Sequence, residues 1–251
     1  MARAVLITGG AGGMGRAIAA RFQADGDIVM LADRTDDALA EAAAQLGEVQ
    51  TVTTDVTVVD DCERMVAATV EQLGGIDVMV CTAGVWVEGS TAEMTEDQWD
   101  RTIDVNLKGT FFACRFAIPA LIASQGSIVA ISSDYGLVGG PGAAIYNASK
   151  FGVNGIVKSL ALELAPHGVR VNSVCPADVE TPMLAGQARD YGGGDEGAYL
   201  AALKSTLPQG DRARFIRADE IAAAVAFLAS EQAAPITGVC LPVEWGVTAG
   251  Y

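Results

Sequence analysis

Short apolar runs alternate with amphipathic stretches of helical length along this chain. Ala4–Thr8 reads as a strand, 14–24 as a helix, 28–32 as a strand and Asp36–Leu46 as a helix. The rhythm continues with a strand at 49–53, a helix at 58–73, a strand at Val78–Cys81 and one or two helices within Glu96–Ser124. It closes with a strand at 127–132, a helix at 146–165, a strand at 169–174, a helix at 221–230 and a strand at 239–243. Strands separated by helices predict right-handed crossovers and a parallel sheet covered on both faces. This is an α/β, doubly wound, Rossmann-type pattern. No linker or repeat divides it, so residues 1–251 are expected to form a single domain.

Two segments break the rhythm. Residues 136–142 carry four glycines and a proline. Residues 187–197 include Tyr191-Gly192-Gly193-Gly194-Asp195-Glu196-Gly197, which does not hold one conformation cheaply. The second predicts a mobile flap over a pocket, spanning about 183–210.

The length of 251 residues suits one domain of this kind. No stretch approaches the roughly 20 consecutive apolar residues of a membrane span. The opening segment lacks the longer apolar region and cleavage site of a signal peptide. A formal net charge of −15 opposes binding to nucleic acid or an anionic membrane. Cys62, Cys81, Cys114, Cys175 and Cys240 are odd in number and lack C-x-x-C spacing, which reads as reduced thiols in a cytoplasmic protein. His167 is the only histidine, in a turn-like Pro166-His167-Gly168 stretch, so no metal site is expected.

Candidate chemistry begins where the first strand ends. Thr8-Gly9-Gly10-Ala11-Gly12-Gly13-Met14-Gly15 joins that strand to the first helix. Glycines there let the backbone approach a pyrophosphate, and the helix N-terminus offers free N–H groups. Asp33 ends the second strand, where a carboxylate accepts hydrogen bonds from ribose hydroxyls and repels a 2′-phosphate. Arg34 next to it is a counter-signal. Asp33 is weighed higher, so the cofactor is read as NAD.

Tyr146 and Lys150 are spaced i, i+4 and share one helical face. Ser133 follows the fifth strand, at the sheet edge that lines the ligand crevice. A carbonyl that gains hydride at carbon needs a proton at oxygen, which Tyr146 can donate. The Lys150 cation is expected to favour the tyrosinate for the reverse direction, and Ser133 to orient the substrate oxygen.

With these residues in hand, the chain resembles the short-chain dehydrogenase/reductase family. The resemblance runs from Ala4 to about Gly250 and rests on the glycine loop, Asp55-Val56, Ala83-Gly84, Asn106, Ser133 and Tyr146-Asn147-Ala148-Ser149-Lys150. It continues through Pro176, Val179-Glu180-Thr181-Pro182-Met183 and Thr237-Gly238. It implies a seven-stranded parallel sheet, a nicotinamide cofactor and a homotetramer. It also implies that Asn106 holds a water linking Lys150 to solvent and that Asp55 and Val56 flank the adenine. Ala83, Gly84 and Pro176 would line the cofactor, with Val179 and Thr181 at its carboxamide end. Three departures stand out. Cys81-Thr82 replaces the usual Asn-Asn, which makes that strand end less polar. Pro176-Ala177 replaces Pro-Gly. Glu244-Trp245-Gly246 replaces Asp-Gly-Gly, and Trp245 is read as a pocket cover or a subunit contact.

The substrate is read as a small to medium hydrophobic or cyclic secondary alcohol, from Val85, Trp86, Val87, Leu137, Ile145, Met183, Leu184 and Trp245 as apolar walls. Asp134 and Asp178 keep a polyol or sugar open as the alternative. A reductase acting on an acyl carrier protein is a further alternative, but residues 116–127 contain no Lys or Arg to meet an acidic partner. A dinucleotide sensor without catalysis is disfavoured because Asn106, Ser133, Tyr146 and Lys150 are all present.

Overall fold

In the computed structural model, which describes residues 2–250, successive residues of each central strand feed two different cores. On β1 (Ala4–Thr8), Val5 and Ile7 pack on one face and Leu6 on the other; on β2 (Ile28–Asp33), Val29 and Leu31 oppose Met30 and Ala32. The first core includes residues of α1 (Gly13–Ala24), α2 (Asp36–Leu46) and α9 (Ala218–Leu228). The second includes residues of α3 (Val59–Leu73), α5 (Gly109–Ser124) and α6 (Ala144–Leu164). Burial on both faces explains why β1 is apolar at consecutive positions rather than alternate ones.

With β3 (Gln50–Thr53), β4 (Val78–Cys81), β5 (Ser127–Ile131), β6 (Arg170–Pro176) and β9 (Cys240–Val243), the sheet has seven parallel strands in the order β3-β2-β1-β4-β5-β6-β9. The winding reverses between β1 and β4. That switch point opens a crevice beyond the strand C-termini, where ligands bind in such sheets.

Glu96–Ser124 is one continuous helical run. It comprises α4 (Glu96–Ile103), a π-helical turn at Asp104–Lys108, and α5. By length and composition it is apolar enough to cross a membrane, which the count of uninterrupted apolar residues did not anticipate. Its packing gives it another role: α5 lies against α3, and the buried Asn106 side chain bonds to Val85 and Ser149 within the protein.

The segment 187–197 joins two helices. It is helical through α7 (Pro182–Tyr191), turns at the glycines, and enters α8 (Glu196–Ser205), where the Asp195 carboxylate accepts the Ala198 N–H at 2.8 Å. An N-cap of this kind satisfies a helix-end donor that would otherwise lack a partner. The pair β7 (Val179–Glu180) and β8 (Ile216–Arg217) runs parallel beside this excursion. Residues 136–142 are also held. Asn147 Nδ2 donates to the Tyr135 and Val138 carbonyls at 2.7 and 2.8 Å, and its Oδ1 accepts from Gly140 N–H at 3.3 Å.

Candidate active site

The glycine loop forms one wall of a cleft of about 580 Å³. Gly9 turns the chain at φ +63°, and a Cβ there would lie 2.7 Å from the Ala83 nitrogen. A Cβ on Gly15 would meet the Gly9 carbonyl at 2.3 Å, so α1 can start this close to β1 only without a side chain. The helix begins after Gly12 with no side-chain cap, which leaves its first-turn N–H groups for a ligand. The far end of the cleft holds Asp33 and Arg34, with Asp55 and Val56 beside them. Asp33 accepts the Ala11 N–H at 3.0 Å and the Arg34 N–H at 2.7 Å, so its carboxylate is fixed against the loop. This cradle fits a dinucleotide. The pyrophosphate would lie on the α1 N-terminus and the ribose at Asp33.

Arg16 also lines this cleft and was not picked out from the sequence. It directly follows the last loop glycine, on the first turn of α1. Its guanidinium is held by Glu41 at 2.8 Å and by Gln45 at 2.7 Å, so its charge is largely committed within the protein. The change of Asn-Asn to Cys81-Thr82 keeps a polar link after all: the Thr82 hydroxyl donates toward the Thr8 and Gly9 carbonyls and ties the end of β4 to the glycine turn. Ala177 has no left-handed backbone that would call for glycine, and its N–H donates to the Val243 carbonyl at 3.3 Å.

Beyond the sheet edge, Ser133, Tyr146 and Lys150 converge. Ser133 directs its hydroxyl to Asp134 Oδ1 at 2.7 Å and accepts the Tyr135 N–H at 3.1 Å. Lys150 is buried, donates from Nζ to the Ile131 carbonyl at 2.9 Å, and lies 5.6 Å from the centre of the Tyr146 ring. Burial pushes the Lys150 ammonium down to about 8. Burial also raises the Tyr146 phenol above its usual range; the Ser133 hydroxyl counteracts this, and Asp134, Asp178 and Tyr135 reinforce it. The expectation that Lys150 would lower Tyr146 is therefore not met by the protein alone. Desolvation is the largest cause, and two nearby carboxylates add to it. Asn106 lies at the π-helical turn, a distortion often found at functional sites. Its Oδ1 accepts the Val85 N–H at 2.8 Å, and its Nδ2 donates to the Val85 carbonyl at 3.0 Å and the Ser149 hydroxyl at 3.1 Å. Gly84 lies between Asn106 Oδ1 and Lys150 Nζ.

A second cavity of about 290 Å³ adjoins the cleft through Met14, Thr181 and Met183 and reaches Ser133 and Tyr146. Pro176 and Val179 also line it. Of the expected substrate walls, Trp86, Asp134, Asp178, Met183 and Leu184 face it. Leu137 and Ile145 do not. Ile145 is buried in the protein and does not line the cavity, and Leu137 lies in the turn after Tyr135. Val85 faces the dinucleotide cleft and Val87 is buried elsewhere. Trp245 is outside the cavity: it is exposed, and the Arg214 guanidinium stacks on its ring at 4.5 Å. Glu88, Tyr135 and Tyr199 were missed. Trp86 Nε1 donates to Glu88 Oε2 at 2.9 Å, and the Tyr199 hydroxyl donates to the same oxygen at 2.7 Å. This contact ties α8 across the cavity mouth. Tyr199 sits on α8, just after the glycine-rich segment.

The sequence relationships agree with this geometry. A family profile described as enoyl-(acyl carrier protein) reductase matches residues 9–248. Meso-2,3-butanediol dehydrogenase of Serratia marcescens is 40% identical over 98% of this chain and 95% of its own length. Trans-4-hydroxycyclohexanecarboxylate dehydrogenase of Sinomonas cyclohexanicum is 38% identical over 99% and 93%. Among solved structures, levodione reductase superposes with a TM-score of 0.92 at 31% identity, covering 99% of this chain and 98% of that one. An actinorhodin polyketide ketoreductase with NADPH gives a TM-score of 0.93 at 35% identity, covering 98% and 97%. The chain belongs to the short-chain dehydrogenase/reductase family. It is an oxidoreductase of the kind that acts on CH–OH and carbonyl groups, with a nicotinamide dinucleotide as its cofactor class.

Proposed function

We propose that this protein is an NAD-dependent dehydrogenase of a secondary alcohol, or the reductase of the corresponding ketone. The observation that carries the reading is the convergence of Ser133 and Tyr146 in a cavity that adjoins, through Met14, Thr181 and Met183, the cleft that ends at Asp33. When bound, the nicotinamide supplies or accepts the hydride. The chain's own part is proton transfer and positioning. Ser133 and Tyr146 would hold the substrate oxygen, with the Tyr146 hydroxyl giving the proton to a developing alkoxide or taking it from the alcohol. Lys150 would bias that hydroxyl through its charge, and Asn106 fixes the Val85 backbone beside it. The helices α7 and α8 would act as the cover that admits substrate and excludes water. Activity assays with NAD over cyclic alcohols, polyols, steroids and hydroxy acids test the reading; absence of turnover with every class would refute it.

The proton position sets the pH dependence. Burial holds Tyr146 in its protonated form, so reduction starts from a proton already in place. Oxidation needs the tyrosinate, whose population grows with pH. The rate of alcohol oxidation is therefore expected to climb with pH up to about 8, where the Lys150 charge begins to be lost, while ketone reduction does not climb with it. Initial-rate profiles in both directions check this, and an oxidation rate that falls as pH rises from 6 to about 8 would contradict it.

A homotetramer is the assembly we propose. Trp99 on α4, Phe111 on α5 and Phe151 on α6 are each more than 40% exposed, and burying them against other copies would remove their apolar surface from water. Multi-angle light scattering at micromolar concentration should report four chains; a monomer would refute it.

A further inference from the structure

The substrate cavity carries charge of one sign. Glu88, Asp134 and Asp178 line it, and no Lys, Arg or His does. Lys150 does not offset them from within the cavity, because its ammonium is buried and bound to the Ile131 carbonyl. Asp134 is only 8% exposed. Its Oδ1 takes the Ser133 hydroxyl and the Tyr135 N–H, while its other oxygen has no partner among the described residues. Glu88 is fixed by Trp86 and Tyr199. The Asp178 carboxylate accepts no hydrogen bond among the described residues. Burial, with Asp134 and Glu88 nearby, raises it to about 6, so near neutral pH it is largely ionised.

Aromatic side chains share the rest of the lining with aliphatic ones such as Met183 and Leu184. Trp86 lies 4.5 Å from Tyr146 and 5.8 Å from Tyr135 between ring centres, and Tyr135 lies 6.4 Å from Tyr146. Aromatic rings and carboxylates without a cationic partner around one small cavity share a preferred guest, an organic cation. A substrate anion would meet three like charges. A neutral alcohol would leave their mutual repulsion in place, whereas an ammonium relieves it.

We infer that the cavity takes a secondary alcohol or ketone bearing a protonated amine beside the reacting carbon, with Asp178 as the carboxylate that meets the ammonium. The inference rests on the hydride-transfer reading above. In the oxidation the carbinol C–H leaves as hydride to the nicotinamide and the O–H proton goes to the Tyr146 oxygen. The ammonium takes no part in bond changes and serves only for recognition. Asp178 is thus a specificity residue.

Three alcohols that share a phenyl carbinol and differ only in the adjoining group test this near neutral pH: phenylaminoethanol, phenylethanediol and mandelate. The expected order of kcat/KM is ammonium, then diol, then carboxylate, with at least about tenfold between the first and last. Asp178→Asn should lower the ammonium-to-diol ratio at least about fivefold. Phenethylamine, which has the ammonium and no carbinol, should bind the wild type in titration calorimetry and bind the variant more weakly. A preference for mandelate, an unchanged ratio in Asp178→Asn, or no phenethylamine binding would overturn the inference. If Asp178→Asn does not fold, the wild-type order and phenethylamine binding decide. If phenethylamine binds as expected but none of these alcohols is oxidised while another class is, the substrate inference is overturned; if no class of alcohol is oxidised, the hydride-transfer reading fails and the ammonium site stands.

Discussion

Tyr146→Phe is expected to lower kcat by at least about 10², the low end of what general acid–base catalysis contributes. The substitution keeps the ring that packs edge-on against Trp86 at 4.5 Å and removes only the hydroxyl. Cofactor affinity should be retained, because the dinucleotide cleft is built from the glycine loop, Asp33 and the end of β4 rather than from this hydroxyl. Steady-state rates and NADH binding by fluorescence measure the two quantities separately. Turnover in the variant at the wild-type rate would remove Tyr146 from the chemistry. Loss of NADH binding together with activity would point to a structural defect.

Coenzyme choice should change by the next largest amount. Asp33 is anchored by two backbone N–H groups and presents its charge where a 2′-phosphate would sit. Glu41 adds a second carboxylate to the same cleft and occupies Arg16. The wild type is therefore expected to favour NAD over NADP by at least about tenfold in kcat/KM, or about 1.4 kcal/mol. Asp33→Ser should weaken NAD use and improve NADP use, since exposed Arg34 is then free to meet the phosphate. Adding Arg34→Ala should undo the NADP gain. Steady-state kinetics with both coenzymes on the wild type and the two variants decides the matter. Equal efficiency of the wild type with both would mean that Arg34 cancels Asp33.

Some features were legible in the chain because they are local. Six of the seven sheet strands were placed to within a residue at each end, the central ones because a strand buried on both faces must be apolar throughout. The glycine loop was legible because a backbone that turns at Gly9 and passes within contact of Gly15 tolerates no Cβ. The Tyr146 and Lys150 pair was legible because a helix fixes which residues share a face. The bounds of the helices at 182–205 were not, because the three glycines that separate them give no periodic signal.

What only the tertiary structure decided is which side chains meet and in what medium. Leu137 and Ile145 have the right chemistry for a pocket wall, yet neither lines the cavity, and Ile145 is buried in the protein. Glu88 and Tyr199 stand 111 residues apart and meet through one carboxylate oxygen. The proton affinity of Tyr146 follows from burial and from Asp134 and Asp178, against the sign that its neighbour Lys150 suggested. Sequence spacing determines local geometry through the helix and strand periods. Desolvation and through-space charge depend on every element that closes over the site, and only the folded chain brings those together.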